Sequence, residues 1–273
     1  MLKSRVITAL VMLILFLAAL FGLPDSGWVT LIILMVLQAS LEWAKLAKLA
    51  GRVATFYWVM TLLIMLALVW LDASNLALKH PVHYFIYGIA ALLWIIIVPT
   101  WMIAGWKVEE RLLMALVGWA VIIPTGLAMM DLRQISPWLL LFIMCLVWVA
   151  DSAAYFAGRR FGKNKLAPSI SPGKTWEGVA GAMLGVSVYV VLVWSFSQGL
   201  AQYAMLPVLL LAAWWWVGLA VIGDLFESAI KRQAGVKDSG ALLPGHGGLL
   251  DRIDALTSTL PLAALVIAMQ NLA

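Results

Sequence analysis

The chain has 273 residues, of which 64% are hydrophobic and 11% are charged, and its formal net charge is +5. Together with a mean hydropathy of +1.02, this composition excludes an ordinary soluble domain and predicts an integral membrane protein. The single cysteine, Cys145, excludes an intramolecular disulfide and a cysteine-based zinc site.

Apolar runs long enough to cross about 30 Å of hydrocarbon recur along the chain. We expect an all-α, polytopic bundle of about nine transmembrane helices, because lipid requires each span to satisfy its own backbone hydrogen bonds. The predicted spans are Ile7–Leu23, Trp28–Leu41, Val53–Leu71, Tyr84–Ile103, Leu112–Met130, Pro137–Tyr155, Gly178–Phe196, Met205–Ser228 and Leu250–Ala268. Serial spans in one bilayer favour a single membrane domain over residues 1–273.

The basic residues divide unequally between the two faces that nine spans define. If the N-terminus is cytoplasmic, 16 of the 18 lysines and arginines lie on the cytoplasmic face, and the other face carries Lys79 and Arg133. This is a strong positive-inside bias. It predicts a cytoplasmic N-terminus and an external C-terminus, and the short N-terminal tail favours a bacterial inner membrane.

The first half of the chain, residues 1–135, has short loops and is expected to act as a scaffold, whereas residues 136–273 carry two cytoplasmic motif loops and are expected to be catalytic. His80 and His83 fall on the opposite face and are expected to be inert. Tryptophans near predicted span ends are expected to anchor the helices at the membrane interface: Trp28, Trp43 and Trp101.

The first motif loop, residues 151–178, is rich in Gly, Ser and basic residues. Its basic side chains form a surface suited to phosphates: Arg159, Arg160, Lys163, Lys165 and Lys174. Ser171 or Thr175 is expected to cap the next helix, with Pro172 in its first turn. Attraction to anionic lipid would also explain a basic loop, but Asp151, at a helix end among apolar residues, favours a site.

The second motif loop, from Asp224 to Asp254, carries five carboxylates and four basic side chains. An unpaired Asp at a bilayer centre costs roughly 2.5–3.5 kcal/mol, so this density needs compensation. Asp224, Glu227 and Ser228 share one helix face, and Asp251 shares another with Asp254. Two such faces that meet would form an oxygen-ligand cage suited to Mg²⁺. Helix-end ion pairs that hold the bundle together are the alternative.

A Gly-rich turn, residues 244–248, lies between these acidic faces and permits close backbone approach to a phosphate. Its His246 could contact a phosphate or only stabilise the turn. Gly181 and Gly185 form a GxxxG pattern that predicts close helix packing inside the bundle, and a homodimer is left open.

The second motif loop resembles the signature of phosphatidate cytidylyltransferases at every specified position. Its matching residues are Ser228, Ile230, Lys231 and Arg232, then Lys237, Asp238 and Gly240, then Leu243, Pro244, His246 to Leu249 and Asp251 to Asp254. Residues 171–178 resemble a second motif of that family, and the likeness extends to Asp151 and Ser152. The first half matches mainly in its hydrophobic plan and in Glu42 and Trp43.

The resemblance implies transfer of CMP from CTP to phosphatidate, which gives CDP-diacylglycerol and pyrophosphate in phospholipid biosynthesis. It implies Mg²⁺, with K⁺ as a second cation, held by Asp224 and Asp251 first and then by Asp254 and Asp151. The implied catalytic residues are Asp224, Asp251, His246 and Lys237. The implied substrate-binding residues are Ser171, Lys174, Thr175, Ser228, Lys231, Arg232, Gly247, Gly248 and Arg252.

The expected partners are CTP, phosphatidate and membrane lipid, without nucleic acid. A transporter of an acidic metabolite is a competing function, but it would need polar groups near mid-membrane and access from both sides. A CDP-alcohol phosphotransferase would need a DG…AR…G…D…D pattern, which the sequence lacks. A scaffold that only binds anionic lipid would release no pyrophosphate from CTP.

Overall fold

The computed structural model describes residues 2–74, 79–196, 205–242 and 247–270, with residues 2–7, 9, 79 and 80 described by their backbone alone. Its helices are α1 (Leu2–Gly22), α2 (Asp25–Leu46), α3 (Gly51–Ala73), α4 (Lys79–Leu92), α5 (Val98–Ala104), α6 (Arg111–Ile135), α7 (Pro137–Phe161), α8 (Trp176–Phe196), α9 (Leu206–Ala234) and α10 (Leu250–Gln270). A π-helical turn, Leu93–Ile97, joins α4 to α5.

Within the described residues these elements form nine helical columns, because α4, the π-turn and α5 run on as one. Eight of the columns are long and apolar enough to cross a membrane, and the described apolar part of the first, Leu10–Gly22, is shorter. The prediction of an all-α helical membrane bundle is confirmed. The second span, predicted at Trp28–Leu41, is longer at both ends and runs from Asp25 to Leu46.

Local sequence explains where several helices begin and end. Pro137 occupies the first turn of α7, where its missing N–H matters least, and Ser136 caps that helix by accepting a hydrogen bond from the N–H of Leu139. Gly105 and Gly235 follow α5 and α9 with φ of 62° and 79°, a left-handed conformation that glycine adopts without steric cost.

The first motif loop contains a small antiparallel hairpin of β1 (Lys165–Ala167) and β2 (Ser171–Thr175), which the helical pattern did not predict. Pro172 lies in β2, so the expectation that it begins the next helix was wrong. Helix α8 begins at Trp176 instead, and Thr175 caps it by accepting a hydrogen bond from the N–H of Gly178 at 3.1 Å. The hairpin thus carries the loop from α7 to α8.

Helices α7 and α8 pack tightly along the GxxxG face. A Cβ added to Gly185 would lie 2.6 Å from the Cβ of Ala153, and one added to Gly181 would clash with the Cβ of Ala157. The predicted role of these glycines in helix packing is confirmed.

The three tryptophans expected at the membrane interface are instead buried in the bundle, so that expectation was wrong. Each indole N–H donates to a backbone carbonyl: Trp28 to Met129, Trp43 to Met114 and Trp101 to Trp106. Proximity to a span end does not distinguish a lipid-facing tryptophan from one that faces a neighbouring helix. Here the helix faces that carry them contribute to the core formed chiefly by α2, α6 and α10.

Candidate active site

A cavity of about 630 Å³ lies between α7, the hairpin, α8, α9 and α10. It brings together all four aspartates that the sequence singled out, Asp151, Asp224, Asp251 and Asp254. Its other polar lining residues are Tyr155, Arg159, Ser171, Lys174, Thr175 and Arg252. The two acidic helix faces therefore meet, which is the condition that the predicted oxygen-ligand cage required.

Lys174 joins the first motif loop to the second. Its Nζ lies 2.6 Å from Oδ2 of Asp224, and the Ser228 hydroxyl lies 3.4 Å from Oδ1 of the same carboxylate. Strand β2 thereby places an ammonium group among the carboxylates of α7, α9 and α10. A cationic group at this position compensates part of the negative charge of the cavity.

Asp251 is held by four donors on three residues. Oδ1 accepts from Nζ of Lys231 at 2.5 Å, and Oδ2 accepts from the N–H and the hydroxyl of Ser239, both at 2.9 Å, and from the N–H of Gly248 at 2.7 Å. These contacts fix the carboxylate at the start of α10. They also tie the second motif loop to that helix.

Lys231 lies between two carboxylates, and it is not among the described residues that line the cavity. Its Nζ is 3.0 Å from Oε2 of Glu227 and 2.5 Å from Oδ1 of Asp251, and all three side chains are largely buried. A buried pair of this kind is stable only while its partners remain, because each group alone would be an uncompensated charge. The geometry thus gives Lys231 contacts that balance its charge, and its contact with a phosphate stays a prediction.

Other predicted site residues that the structure describes are not among those that line the cavity. Arg232 is exposed and its Nε lies 3.4 Å from the carbonyl oxygen of Ile170, while Lys237 is exposed. His246 lies outside the described residues. Gly247 has φ of +82°, and a Cβ there would approach Oδ2 of Asp251 to 2.6 Å, so glycine suits this turn.

Sequence reasoning missed Glu42 as part of this region. The side chain is 1% exposed, and it accepts hydrogen bonds from the N–H groups of Leu249 and Leu250, both at 2.9 Å, and from the Ser239 hydroxyl at 3.0 Å. The isolated acid in α2 was a signal, because charge inside a span is costly. Spacing could not identify its partners.

A second polar cluster lies near the opposite ends of the helices. Nδ1 of His83 is 2.8 Å from Oδ2 of Asp131, its Nε2 is 3.1 Å from Oδ1 of Asp72, and the Tyr87 hydroxyl donates to Asp131 at 2.7 Å. One ligand atom from each of Asp72, His83 and Asp131 lies within 4.8 Å of the others. The group is compatible with a divalent cation.

The bundle and its cavity define a polytopic helical membrane protein with a charged pocket near one end of its helices. Comparison with known proteins identifies the group within this class. The model of the cytidylyltransferase family matches residues 3–270. The chain belongs to the cytidylyltransferase family.

Relatives that match over nearly the whole chain carry one name. The phosphatidate cytidylyltransferase of Haemophilus influenzae is 36% identical, with 96% of each chain covered. That of Pseudomonas aeruginosa is 39% identical, with 97% of this chain and 96% of its own covered. The Thermotoga maritima enzyme of the same name is 42% identical over 46% of this chain and 47% of its own. The resemblance predicted from the motif loops is confirmed.

Proposed function

We propose that the protein is a phosphatidate cytidylyltransferase, which converts CTP and phosphatidate to CDP-diacylglycerol and pyrophosphate. The cavity that unites Asp151, Asp224, Asp251, Asp254 and Lys174 carries the proposal, because it gathers both motif loops around one space. Membership of the cytidylyltransferase family and the names of the full-length relatives support the same reaction.

The chemistry is a displacement at the α-phosphorus of CTP. An oxygen of the phosphatidate phosphate forms a bond to that phosphorus while the bond to the β-phosphate oxygen breaks, so pyrophosphate leaves with the electron pair. A phosphate monoester has a second pKa of about 6, so near neutral pH phosphatidate supplies a dianion and needs no strong general base. Catalysis then depends on alignment and charge neutralisation.

The carboxylates of the cavity fit Mg²⁺, which takes oxygen ligands. We assign it to Asp224 and Asp251 first, with Asp254 and Asp151 as further ligands or orienting groups, and we extend the proposal to K⁺ as a second cation. When bound, Mg²⁺ would neutralise phosphate charge and polarise the reacting phosphoryl group. The cavity lining supplies the acids without a cysteine or histidine among its described residues.

Phosphate binding is assigned to the positive and donor groups around the cavity. Lys174 and Arg252 line it directly, and Thr175 and Ser171 present oxygens from β2. Gly247 and Gly248 are assigned to the same group because Gly248 donates its N–H to Asp251, which lines the cavity. Arg232 and Lys237, which are exposed, would act from the surface side when the triphosphate enters, and His246 is assigned to phosphate contact from the sequence alone. Arg159, which also lines the cavity, joins this group, whereas we assign Lys231 to holding Asp251 in place.

A cavity on the cytoplasmic side of the membrane would be accessible to both substrates. We place the N-terminus and the cavity on the cytoplasmic side of a bacterial inner membrane, where CTP is dissolved, and the C-terminus outside. Phosphatidate would enter sideways from the bilayer, because its acyl chains remain in lipid. A homodimer would leave this arrangement unchanged.

The test is an assay of purified protein with phosphatidate micelles, Mg²⁺ and each of the four nucleoside triphosphates in turn. We expect pyrophosphate release and a CDP-diacylglycerol product only when CTP and phosphatidate are both present. Pyrophosphate release that does not require phosphatidate, or equal use of all four nucleotides, would contradict the proposal. Uptake of labelled substrate into proteoliposomes without product would favour a transporter.

A further inference from the structure

Glu42 lies on α2, in the half of the chain that the sequence assigned to scaffolding, yet its carboxylate reaches the second motif loop. Oε1 accepts hydrogen bonds from the Gln38 side chain and the N–H of Leu249, and Oε2 accepts from the Ser239 hydroxyl and the N–H of Leu250. All four donors are neutral groups, and the distances run from 2.9 to 3.0 Å. Each carboxylate oxygen therefore has a backbone N–H donor and lies within hydrogen-bond distance of a side-chain donor, although the group is buried.

Glu42 accepts hydrogen bonds from backbone N–H groups at the start of α10. The first N–H groups of a helix have no partner within that helix, and a carboxylate near them also interacts favourably with the helix dipole. Leu249, which precedes α10, has no polar side chain with which to cap it. Glu42 supplies the missing acceptor from a helix that lies more than 200 residues earlier in the chain.

Ser239 and Gly248 connect Glu42 to Asp251. The Ser239 hydroxyl lies 3.0 Å from Glu42 and 2.9 Å from Asp251, and its single proton can serve only one of them at a time. The N–H of Ser239 and that of Gly248 both donate to Asp251. A Cβ on Gly248 would overlap the Ser239 hydroxyl and a Glu42 carboxylate oxygen, so glycine lets the backbone approach both side chains closely.

We infer that Glu42 is a positioning residue of the site: it fixes residues 247–250, and through them the orientation of Asp251 toward the cavity. In this arrangement α2 contacts the second motif loop through the Glu42 carboxylate. The inference rests on the proposed function for its kinetic consequence, but its structural consequence can be measured without any turnover.

The test compares Glu42→Gln with Trp28→Phe. Both residues are 1% exposed on α2, but Trp28 donates to Met129 and lies roughly 21 Å from Glu42 along the helix. Glutamine keeps the size of the side chain and replaces one acceptor oxygen with an NH2 group, which cannot accept a hydrogen bond from the backbone N–H of Leu249 or Leu250 on that side. Hydrogen exchange of the peptide covering residues 247–252 should accelerate about tenfold in Glu42→Gln. Trp28→Phe weakens the bundle but leaves the Glu42 contacts in place, so exchange of this peptide, which follows local opening, should stay within about twofold of wild type.

Kinetics separate positioning from a loss of folded protein. We expect kcat per folded molecule to fall about 10- to 100-fold in Glu42→Gln, with the KM for CTP changed by less than about threefold. Ser239→Ala should lower kcat in the same way. Because both residues act through Asp251, kcat of the double variant should lie within about threefold of kcat of the slower single variant.

Unchanged exchange of residues 247–252 in Glu42→Gln would overturn the inference, as would a fall in activity that follows only the fraction of folded protein. If wild-type protein shows no CTP-dependent pyrophosphate release, the proposed function fails by itself. The exchange measurement then still decides whether Glu42 holds the loop.

Discussion

Lys174 and Asp224 form an ion pair, with Nζ 2.6 Å from Oδ2, that connects the hairpin of the first motif loop to α9. The two residues are 50 positions apart in the chain, and each belongs to a separate motif. Their contact makes the two loops one site. It also places the ammonium group beside the carboxylate to which we assign the metal, which makes Lys174 the best-placed described cation for a phosphate.

Replacement of Lys174 by Met should therefore weaken nucleotide use without unfolding the protein. A charged hydrogen bond contributes about 1.5–3 kcal/mol, so we expect kcat/KM for CTP to fall about 10- to 150-fold. Initial rates of pyrophosphate release at several CTP concentrations measure the change.

Lys163→Met is the matched control for that variant. Lys163 is exposed in the same loop and is not among the residues that line the cavity, and its replacement by Met removes the same charge. An equal loss in both variants would mean that the loop acts only through its overall charge, and the assignment of Lys174 would then be wrong.

Asp224→Asn and Asp251→Asn should insert normally yet lose turnover by several orders of magnitude. Each change removes a charged oxygen ligand from the place where we assign Mg²⁺. Pyrophosphate release at saturating Mg²⁺ is the measurement, with Glu109→Gln as the control because Glu109 is an exposed acid outside both motif loops and outside the cavity lining. Substantial activity in both variants would refute the metal assignment.

The helical plan and the acidic faces could be predicted from the sequence because both depend on local spacing. Asp224 and Ser228, for example, are four residues apart on one helix, and a hydrogen bond joins their side chains. The partners of Glu42 could not be predicted in this way, since they lie 207 and 208 positions along the chain. Likewise, Lys231 carries the same charge whether it faces a phosphate or two carboxylates, and only packing decides between them.

Membrane topology gives a prediction that is independent of catalysis. An odd number of spans with 16 of the 18 basic residues on the starting face predicts that the C-terminus lies outside. Alkaline phosphatase fused after Ala273 should be active and green fluorescent protein at the same place dark, whereas the same reporters fused after Arg52 should give the reverse. A fluorescent fusion after Ala273 would contradict the odd number of spans.

Trp28→Phe should destabilise the bundle, although the residue lies near the end of a span. Its indole N–H donates to the carbonyl oxygen of Met129 at 3.2 Å, and the Arg133 guanidinium lies 5.2 Å from its ring centroid. Phenylalanine removes the hydrogen bond, leaves that carbonyl without this donor and reduces the buried volume, so we expect a loss of about 1.5–3 kcal/mol.

Trp138 is 70% exposed near the start of α7, and Trp138→Phe should change stability by less than about 0.5 kcal/mol. Thermal unfolding of both variants in the same detergent measures the difference. An equal loss of stability in the two variants would contradict the packing of Trp28 between α2 and α6 and would favour a position at the lipid interface.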